Sequence, residues 1–412
     1  MDSLLKLAQE NNPTIAQAAA QLRGEEGKAK QAGLWYNPEL RYEDNAIGVH
    51  YEGRDGGTGF SAGDFQGLNI EQRVVTAGKL RLSREKYQAR VQAANDLLKM
   101  HILQVTNDVR IRYFETLAKS RLVDIHREML KTMEDHWLTT KEKLNEGQSN
   151  DVEYRQSKIA LNRERLRTRM AENDYRATVE RLGALVGVDL SSSAISGPLE
   201  DEIALIDFDA GIARVLTQSP ELAEAKVMLK SHEITVRREK VQPIPDLYFS
   251  RGWGYTFQYR QPIYNAGLRL TLPLFDRNQG TVETAEADLV RQQREVKRVE
   301  LDLRHRFADQ YELYLTSLQH VEDYRETILP EAKQAYETQL KSYKLGREDW
   351  PAVLAVQRAY EDRREEYVRN RLAWRKSETA INGLLLVKYG LMAPDGVTPP
   401  GGGTLDVTSK PR

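Results

Sequence analysis

Two copies of one pattern, about 200 residues apart, occupy nearly all of this 412-residue chain, and that duplication limits the possible folds more than any other feature. Asn12-Pro13 matches Ser219-Pro220, and Pro38-Glu39-Leu40 matches Pro245-Asp246-Leu247, both at an offset of 207 residues. Gly67-Leu68 matches Gly267-Leu268 at an offset of 200, and Gly147 matches Gly346 at 199. Insertions account for the drift. A period this long marks a duplication and not a solenoid, so the halves are expected to interweave as one pseudo-symmetric domain. The first copy is read as residues 1–186, a linker as 187–207, the second copy as 208–388 and a disordered tail as 389–412.

Within each copy the order is helix, two alternating segments, then a helical hairpin. Residues 3–35 and 208–241 carry helical periodicity. Along residues 75–144, Tyr87, Val91, Ala94, Leu98, Ile102, Val105 and Val109 recur at three- and four-residue steps. That is a narrow coiled-coil seam, on the order of 100 Å long at the helical rise per residue. Gly147-Gln148-Ser149-Asn150-Asp151 supplies a helix stop and a new N-cap, and the chain returns as helix to Val186. In the second copy the seam holds Val296, Val299, Leu303, Phe307, Tyr314, Leu318 and Val321. Pro330 is expected to kink or restart that helix, and the return runs from Trp350 to about residue 386.

The alternating segments are the sharpest local signal. Residues 264–275 set Ala266, Leu268, Leu270, Leu272 and Leu274 on one face, opposite Asn265, Gly267, Arg269 and Thr271. Residues 247–259 set Leu247, Phe249, Trp253, Tyr255 and Phe257 together, with Arg251 as the exception. In the first copy Leu40 and Tyr42 share a face, as do Leu68, Ile70, Gln72 and Val74. Apolar-out, polar-in alternation over about ten residues is what a transmembrane barrel strand requires. A soluble sheet covered on one side gives the same alternation, but the flanking helices have already committed their seams to one another.

Composition narrows the rest. Charged residues make up 29% and hydrophobic ones 40%, which suits long helices with thin seams better than several thick cores. Net charge is −1 with both signs interleaved, against a nucleic-acid face, and cysteine is absent, which removes thiol chemistry and Cys-based metal sites. The seven histidines have no ligand-type spacing, and no nucleophile motif or phosphate-cradling loop stands out. The Gly-rich 53–63 stretch reads as an extracellular loop. The sequence opens on helical periodicity without a basic n-region, which read literally is cytosolic and read as a mature chain means a signal removed or omitted. Two strands per copy give four per chain, too few to close a barrel, so several copies must close it by symmetry.

With these features the chain resembles the TolC-like outer membrane efflux family over essentially its whole length. The resemblance rests on the duplicated order, the Asn12-Pro13 and Ser219-Pro220-Glu221-Leu222 openings, Pro38-Glu39-Leu40, the two hairpin glycines and Ile328-Leu329-Pro330. The junctions Glu71-Gln72-Arg73-Val74-Val75-Thr76-Ala77-Gly78-Lys79 and Leu272-Pro273-Leu274-Phe275-Asp276-Arg277-Asn278-Gln279-Gly280 look like the heavy-metal, CzcC-like branch. The implied fold class is an α+β membrane protein: a homotrimer with a twelve-stranded outer-membrane β-barrel continued by a periplasmic α-helical barrel. The implied function is a passive, gated exit duct for divalent heavy-metal cations, with no cofactor and no enzymatic step. A periplasmic adaptor and an inner-membrane pump of the resistance-nodulation-division class are the implied partners, beside outer-membrane lipid. Organic solute efflux or type I secretion are alternative cargoes, and a cytosolic coiled-coil scaffold is the rival of a different class.

The resemblance assigns adaptor contact to the hairpin tips, at Leu144, Gly147, Ser149, Asp151, Leu345, Gly346 and Glu348; plain helix punctuation is the other reading of these residues. Asp151, Glu153, Glu348 and Asp349 would ring a closed end and favour cations, although acids at a solvated helix N-terminus are common. Ala352 and Ala355 stand where some relatives keep gate acids. Tyr343 and Glu153 occupy positions that latch neighbouring helices in relatives. The lipid-facing set is Leu40, Tyr42, Leu68, Ile70, Leu247, Phe249, Trp253, Tyr255, Leu268, Leu270 and Leu272.

Overall fold

The repeated Asn-Pro and Ser-Pro dipeptides each break a helix in two. In the computed structural model, α1 (Asp2–Asn11) stops at Asn12 and α2 (Pro13–Ala32) begins at the proline; α5 (Phe208–Gln218) stops at Ser219 and α6 (Pro220–Val241) follows. Residues 3–35 are therefore two helices and not one, because proline disfavours a helical residue before it. Asn12 turns the break into an anchor. Its side chain accepts from the Thr14 N–H and donates to the Leu185 carbonyl at 2.8 Å, where α4 ends. The structure describes residues 1–45, 48–51, 58–61, 65–147, 149–190, 195, 197, 199, 205–256, 260–345 and 347–387.

The long helices follow the seams. α3 (Lys79–Asn145) carries the first, and Tyr87, Ala94, Val105 and Val109 are buried along it. α4 (Asp151–Val186) returns with Asn150 as N-cap and Gly187 in the left-handed region at its end. In the second copy α7 (Gln279–Asp323) buries Val299, Leu303, Phe307, Tyr314, Leu318 and Val321. The break expected at Pro330 is a π-helical turn, Tyr324–Ile328, after which α8 (Leu329–Lys344) restarts with the proline in its first turn. α9 (Trp350–Asn382) completes the hairpin, and Asn107 of α3 donates to the Gly383 and Leu386 carbonyls beyond its end. No described helix is long and apolar enough to cross a membrane.

Four strands form one antiparallel sheet in the order β1-β4-β5-β6: β1 (Glu39–Asn45), β4 (Phe65–Val74), β5 (Leu247–Thr256) and β6 (Gln261–Leu270). Between β1 and β4 lies a hairpin the alternation did not signal, β2 (Gly48–Tyr51) with β3 (Thr58–Ser61); the rest of the 53–63 stretch lies outside the described residues. β6 ends at Leu270, short of the expected 275. Pro273 removes a donor from the ladder, and the Leu274 N–H closes on the Leu272 carbonyl at 3.0 Å. Leu272 thus lies beyond the strand. Residues 257–259, Gly346 and the 389–412 tail are outside the described residues.

The chain divides into two compact units, and the cut does not follow the repeats. One gathers 1–19, 96–222 and the described part of 298–397; the other gathers 20–95 and 223–297. Each unit draws on both copies. The first holds α1, α4, α5, α8 and α9 with most of α3 and part of α7; its main apolar cluster centres on Val109, Leu182 and Val186, with α1 contributing Ala8. The second holds the sheet and the helix segments next to it, with Leu82 and Ala89 of α3 packed on Ile234 of α6.

Candidate functional site

The strand register decides which side chains share a face. Leu40 pairs with Ile70, Tyr42 with Leu68, Leu68 with Trp253, Val74 with Leu247, Phe249 with Leu268 and Leu247 with Leu270. Because the side-chain period is two, these residues and Tyr255 lie on one continuous face. Leu40, Tyr42, Ile70, Phe249, Trp253, Tyr255, Leu268 and Leu270 are exposed there, and Leu272 is exposed just past the strand. Arg251 interrupts this face between Ile70 and Ala266. At one margin Gln66 donates to Asp44; at the other Gln72 donates to the Tyr36 carbonyl.

The opposite face is polar and carries small residues. Arg269 of β6 reaches across β5 to Glu71 of β4 at 2.6 Å, and its guanidinium lies 4.1 Å from the centre of the ring of Tyr248, its partner on β5. Gly252 leaves space that the Asn265 side chain occupies: a Cβ there would stand 2.2 Å from Asn265 Oδ1 and displace it.

Sequence reading missed the clasp where strands meet helices. Asp246, buried just before β5, accepts from Arg73 at 2.7 and 3.0 Å, from Lys79 at 2.8 Å and from the Thr76 N–H at 3.2 Å. The Thr76 hydroxyl donates to the Pro245 carbonyl at 2.6 Å. These bonds hold the β4-to-α3 turn, in which Ala77 and Gly78 both have positive φ, against the start of β5. Burial pushes the Asp246 carboxyl up, but the hydrogen bonds from Lys79, Arg73 and Thr76 outweigh it and hold the group below the usual carboxylate range. The available signal was the repeated Pro-acid-Leu opening.

In the other unit the two hairpin tips meet through aromatic rings. His136 of α3 stacks on Trp350 of α9, and Tyr343 of α8 packs edge-on against Trp350 at 5.3 Å. Burial, with Lys143 nearby, pushes the His136 imidazole down to about 3, so it stays neutral. Lys143 donates to the Tyr343 hydroxyl at 3.4 Å and lies over its ring. Glu153 instead accepts from the Ser149 hydroxyl, and its N–H donates to Asn150, so within the chain Tyr343 and Glu153 have other partners. Gly147 has positive φ and is exposed, Leu144 is half-buried, and Asp151 binds Arg155. Leu345, Glu348 and Asp349 are exposed. In the sequence Trp350 marks only a helix start and His136 carries no role, since contact between distant helices has no local signature.

Further along the same hairpins, His126 of α3 hydrogen-bonds Glu164 of α4 at 2.9 Å and stands 3.6 Å from Glu365 of α9. Glu361 of α9 is buried beside them; burial first, then the Glu164 charge, pushes its carboxyl up to about 8 against the opposing pull of Arg167 and Arg364. Among the described residues no group of three or more His, Asp or Glu side chains is arranged to hold a metal ion.

Each repeat thus contributes two strands to a sheet with one apolar and one polar face and a pair of long helices. The model of the family described as outer membrane efflux protein matches residues 4–188 and 211–385, one segment for each repeat. The chain belongs to the outer membrane efflux protein family. A probable outer membrane lipoprotein, SilC of Salmonella typhimurium, is 23% identical over 257 residues, covering 59% of this chain and 54% of that protein. The cobalt-zinc-cadmium resistance protein CzcC of Cupriavidus metallidurans is 27% identical over 160 residues, 38% of each. The chain thus spans about half the length, or less, of these curated relatives. Among solved structures, the outer membrane protein VceC of Vibrio cholerae superposes with a TM-score of 0.76 at 17% identity, covering 94% of this chain and 96% of that one. CusC gives 0.73 at 17% identity, covering 93% and 91%. These likenesses establish the fold of an outer-membrane efflux channel.

Replacing Asp246 with Asn leaves Lys79 and Arg73 without their counter-charge. The expected loss is on the order of 2–4 kcal/mol, below a fully buried pair because Arg73 keeps a third of its side chain in solvent, and thermal melting in detergent reads it. The folded carboxyl titrates lower than the unfolded one, so this stabilisation is complete above the ordinary value of about 4 and is lost as pH falls through the depressed folded value. The Asn variant will lack that acid-side component. Glu361 has the opposite sign: its folded value is raised, so its contribution is complete below the unfolded value and is lost as pH rises towards about 8. Glu361→Gln is expected to melt higher than the native protein at pH 8.5 and indistinguishably at pH 4.

Proposed function

We propose that the protein is the outer-membrane exit duct of a tripartite efflux system, passive and gated, exporting divalent heavy-metal cations. The carrying observation is the two-faced sheet with free edges at β1 and β6. In this reading the Leu40 to Leu270 face meets lipid, the Arg269–Glu71 face lines water, and three copies close a twelve-stranded barrel. The hairpin tips face a periplasmic adaptor, which couples the duct to an inner-membrane pump of the resistance-nodulation-division class. Transport energy comes from the pump, and the duct has no enzymatic step and no resident cofactor. The metal cargo is supported by the likeness to CzcC, a cobalt-zinc-cadmium resistance protein. Tips tied by Lys143, Tyr343 and Trp350 suit a closed end that must open for passage, with Glu153 and Asp349 as further gate candidates.

Deleting the gene is expected to raise sensitivity to cobalt, zinc and cadmium by several-fold in growth assays while leaving sensitivity to organic toxicants unchanged. Unchanged metal sensitivity with raised sensitivity to dyes or detergents would overturn the cargo; recovery of the full-length protein without detergent in a soluble fraction would overturn the channel. In planar bilayers Tyr343→Phe combined with Glu153→Ala is expected to raise single-channel conductance, and an unaltered conductance removes the latch.

A further inference from the structure

The duplication makes the seam between β4 and β5 a template for the seam between copies. At the junction after β4, Gly78 has φ of 66° and α3 starts at Lys79; 200 residues later Asn278 has φ of 60° and α7 starts at Gln279. At the entry to the next strand, Pro245-Asp246-Leu247 corresponds to Pro38-Glu39-Leu40 at 207. Within the chain, Val75 of the first junction and Gln242 before β5 are half-buried and line one small cavity beside Asp246. Their repeat mates are Phe275 and Trp35. Both stand in solvent in the single chain, Phe275 at 91% and Trp35 at 63% exposure.

Strand direction brings those mates to the same level. Glu39 pairs with Glu71, and Leu270 pairs with Leu247, itself opposite Val74, so β1 begins and β6 ends on the side of the sheet where α3 leaves. β1 and β6 are the two edges. If the free edge of β6 in one copy pairs antiparallel with β1 of the next in the register of β4 with β5, Val74 opposite Leu247 becomes Leu274 opposite Leu40; residues 271–275 of the first then stand beside residues 39–43 of the second, and Trp35 lies four residues before Glu39 as Gln242 lies four before Asp246. The chemistry of the two seams differs: the clasp cations Arg73 and Lys79 correspond to Pro273 and Gln279, which carry no charge, Glu39 takes the place of Asp246, and Leu274, Phe275, Leu34 and Trp35 are all exposed.

We infer that the junction between copies is a quasi-equivalent, apolar version of the Asp246 clasp, in which Phe275 of one copy packs against Trp35 of the next. This rests on the channel reading above and specifies the surface by which copies recognise one another: a head-to-tail contact between two different patches. Burying a large aromatic at an interface that excludes water makes it the anchor of that contact.

None of the 412 residues is cysteine, which allows a direct test on the protein in detergent. Trp35→Cys/Phe275→Cys, treated with a short bifunctional thiol reagent, is expected to give covalent dimers and trimers on denaturing gels. Either single variant stays monomeric there, and the two singles co-expressed give dimers and nothing larger. Val75→Cys/Gln242→Cys closes a loop within one chain and controls for reach; Leu34→Cys/Leu274→Cys repeats the measurement should the first pair disturb folding. Native-mass trimers in which the reach control links and neither intermolecular pair does would overturn the inference while leaving the channel reading standing. A native protein that is monomeric in detergent would overturn both.

Discussion

The outer edges of β1 and β6 control everything else. A four-stranded sheet leaves a row of backbone N–H and C=O groups open along each margin. In water those groups are solvated; against hydrocarbon each unpaired one costs several kcal/mol. In the proposed barrel the apolar face makes the problem acute, because the same side chains that would meet lipid would draw the open edges into it. Pairing edge to edge between copies satisfies the ladder and removes the margin. The duplicated architecture serves that end: two hairpin-like strand pairs already joined in one chain shorten the number of copies needed to close.

Where strand becomes helix, the backbone must change both its hydrogen-bonding scheme and its surroundings within five residues. The first junction does so with positive φ at Ala77 and Gly78, then fixes the turn to the neighbouring strand by gathering Arg73, Thr76 and Lys79 on Asp246. A carboxylate that accepts four hydrogen bonds is well satisfied although buried, so the clasp meets the condition under which buried charge is tolerated. Such a clasp suits a seam that forms once, as the chain folds. The repeat-related junction presents Leu274 and Phe275 instead, and apolar contact is non-directional, which suits surfaces that must find one another after folding.

Much of this was legible in the sequence because periodicity reports one face at a time. The offsets of 207 and 200 located both strand openings, and the alternation read over 247–259 and 264–275 assigned faces that the register reproduces within 247–256 and 264–270; the Asn12-Pro13 and Ser219-Pro220 pairs were matched, yet each lies inside a stretch read as one helix. What stayed hidden depends on contacts between distant segments. Asp246 reads as a turn acid until Lys79 stands beside it, and His136 reads as an ordinary helix residue until Trp350 stacks on it. The end of β6 was misjudged because leucines continue to alternate through Leu272 and Leu274 after Pro273 has already broken the ladder. Alternation records which side chains are apolar; it does not record where donors run out.

Narrow seams raise a question of register that the buried polar groups answer. Long antiparallel helices whose contacts are Ala, Val and Leu at similar spacing could slide by a heptad and still bury comparable apolar area. A slip by seven residues would separate His126 from Glu164 and leave Asn107 away from the carbonyls of Gly383 and Leu386. Each orphaned buried group costs on the order of 1–3 kcal/mol, more when charged, so a few of them outweigh a seam that is otherwise nearly indifferent. Arg371 and Arg375 act the same way on the linker, both donating to the Leu199 carbonyl. The high charge content therefore has a structural use beyond solubility. Part of it is buried to fix which turn of one helix faces which turn of the next, and that alignment is what brings the tips carrying Lys143, Tyr343 and Trp350 to the same level.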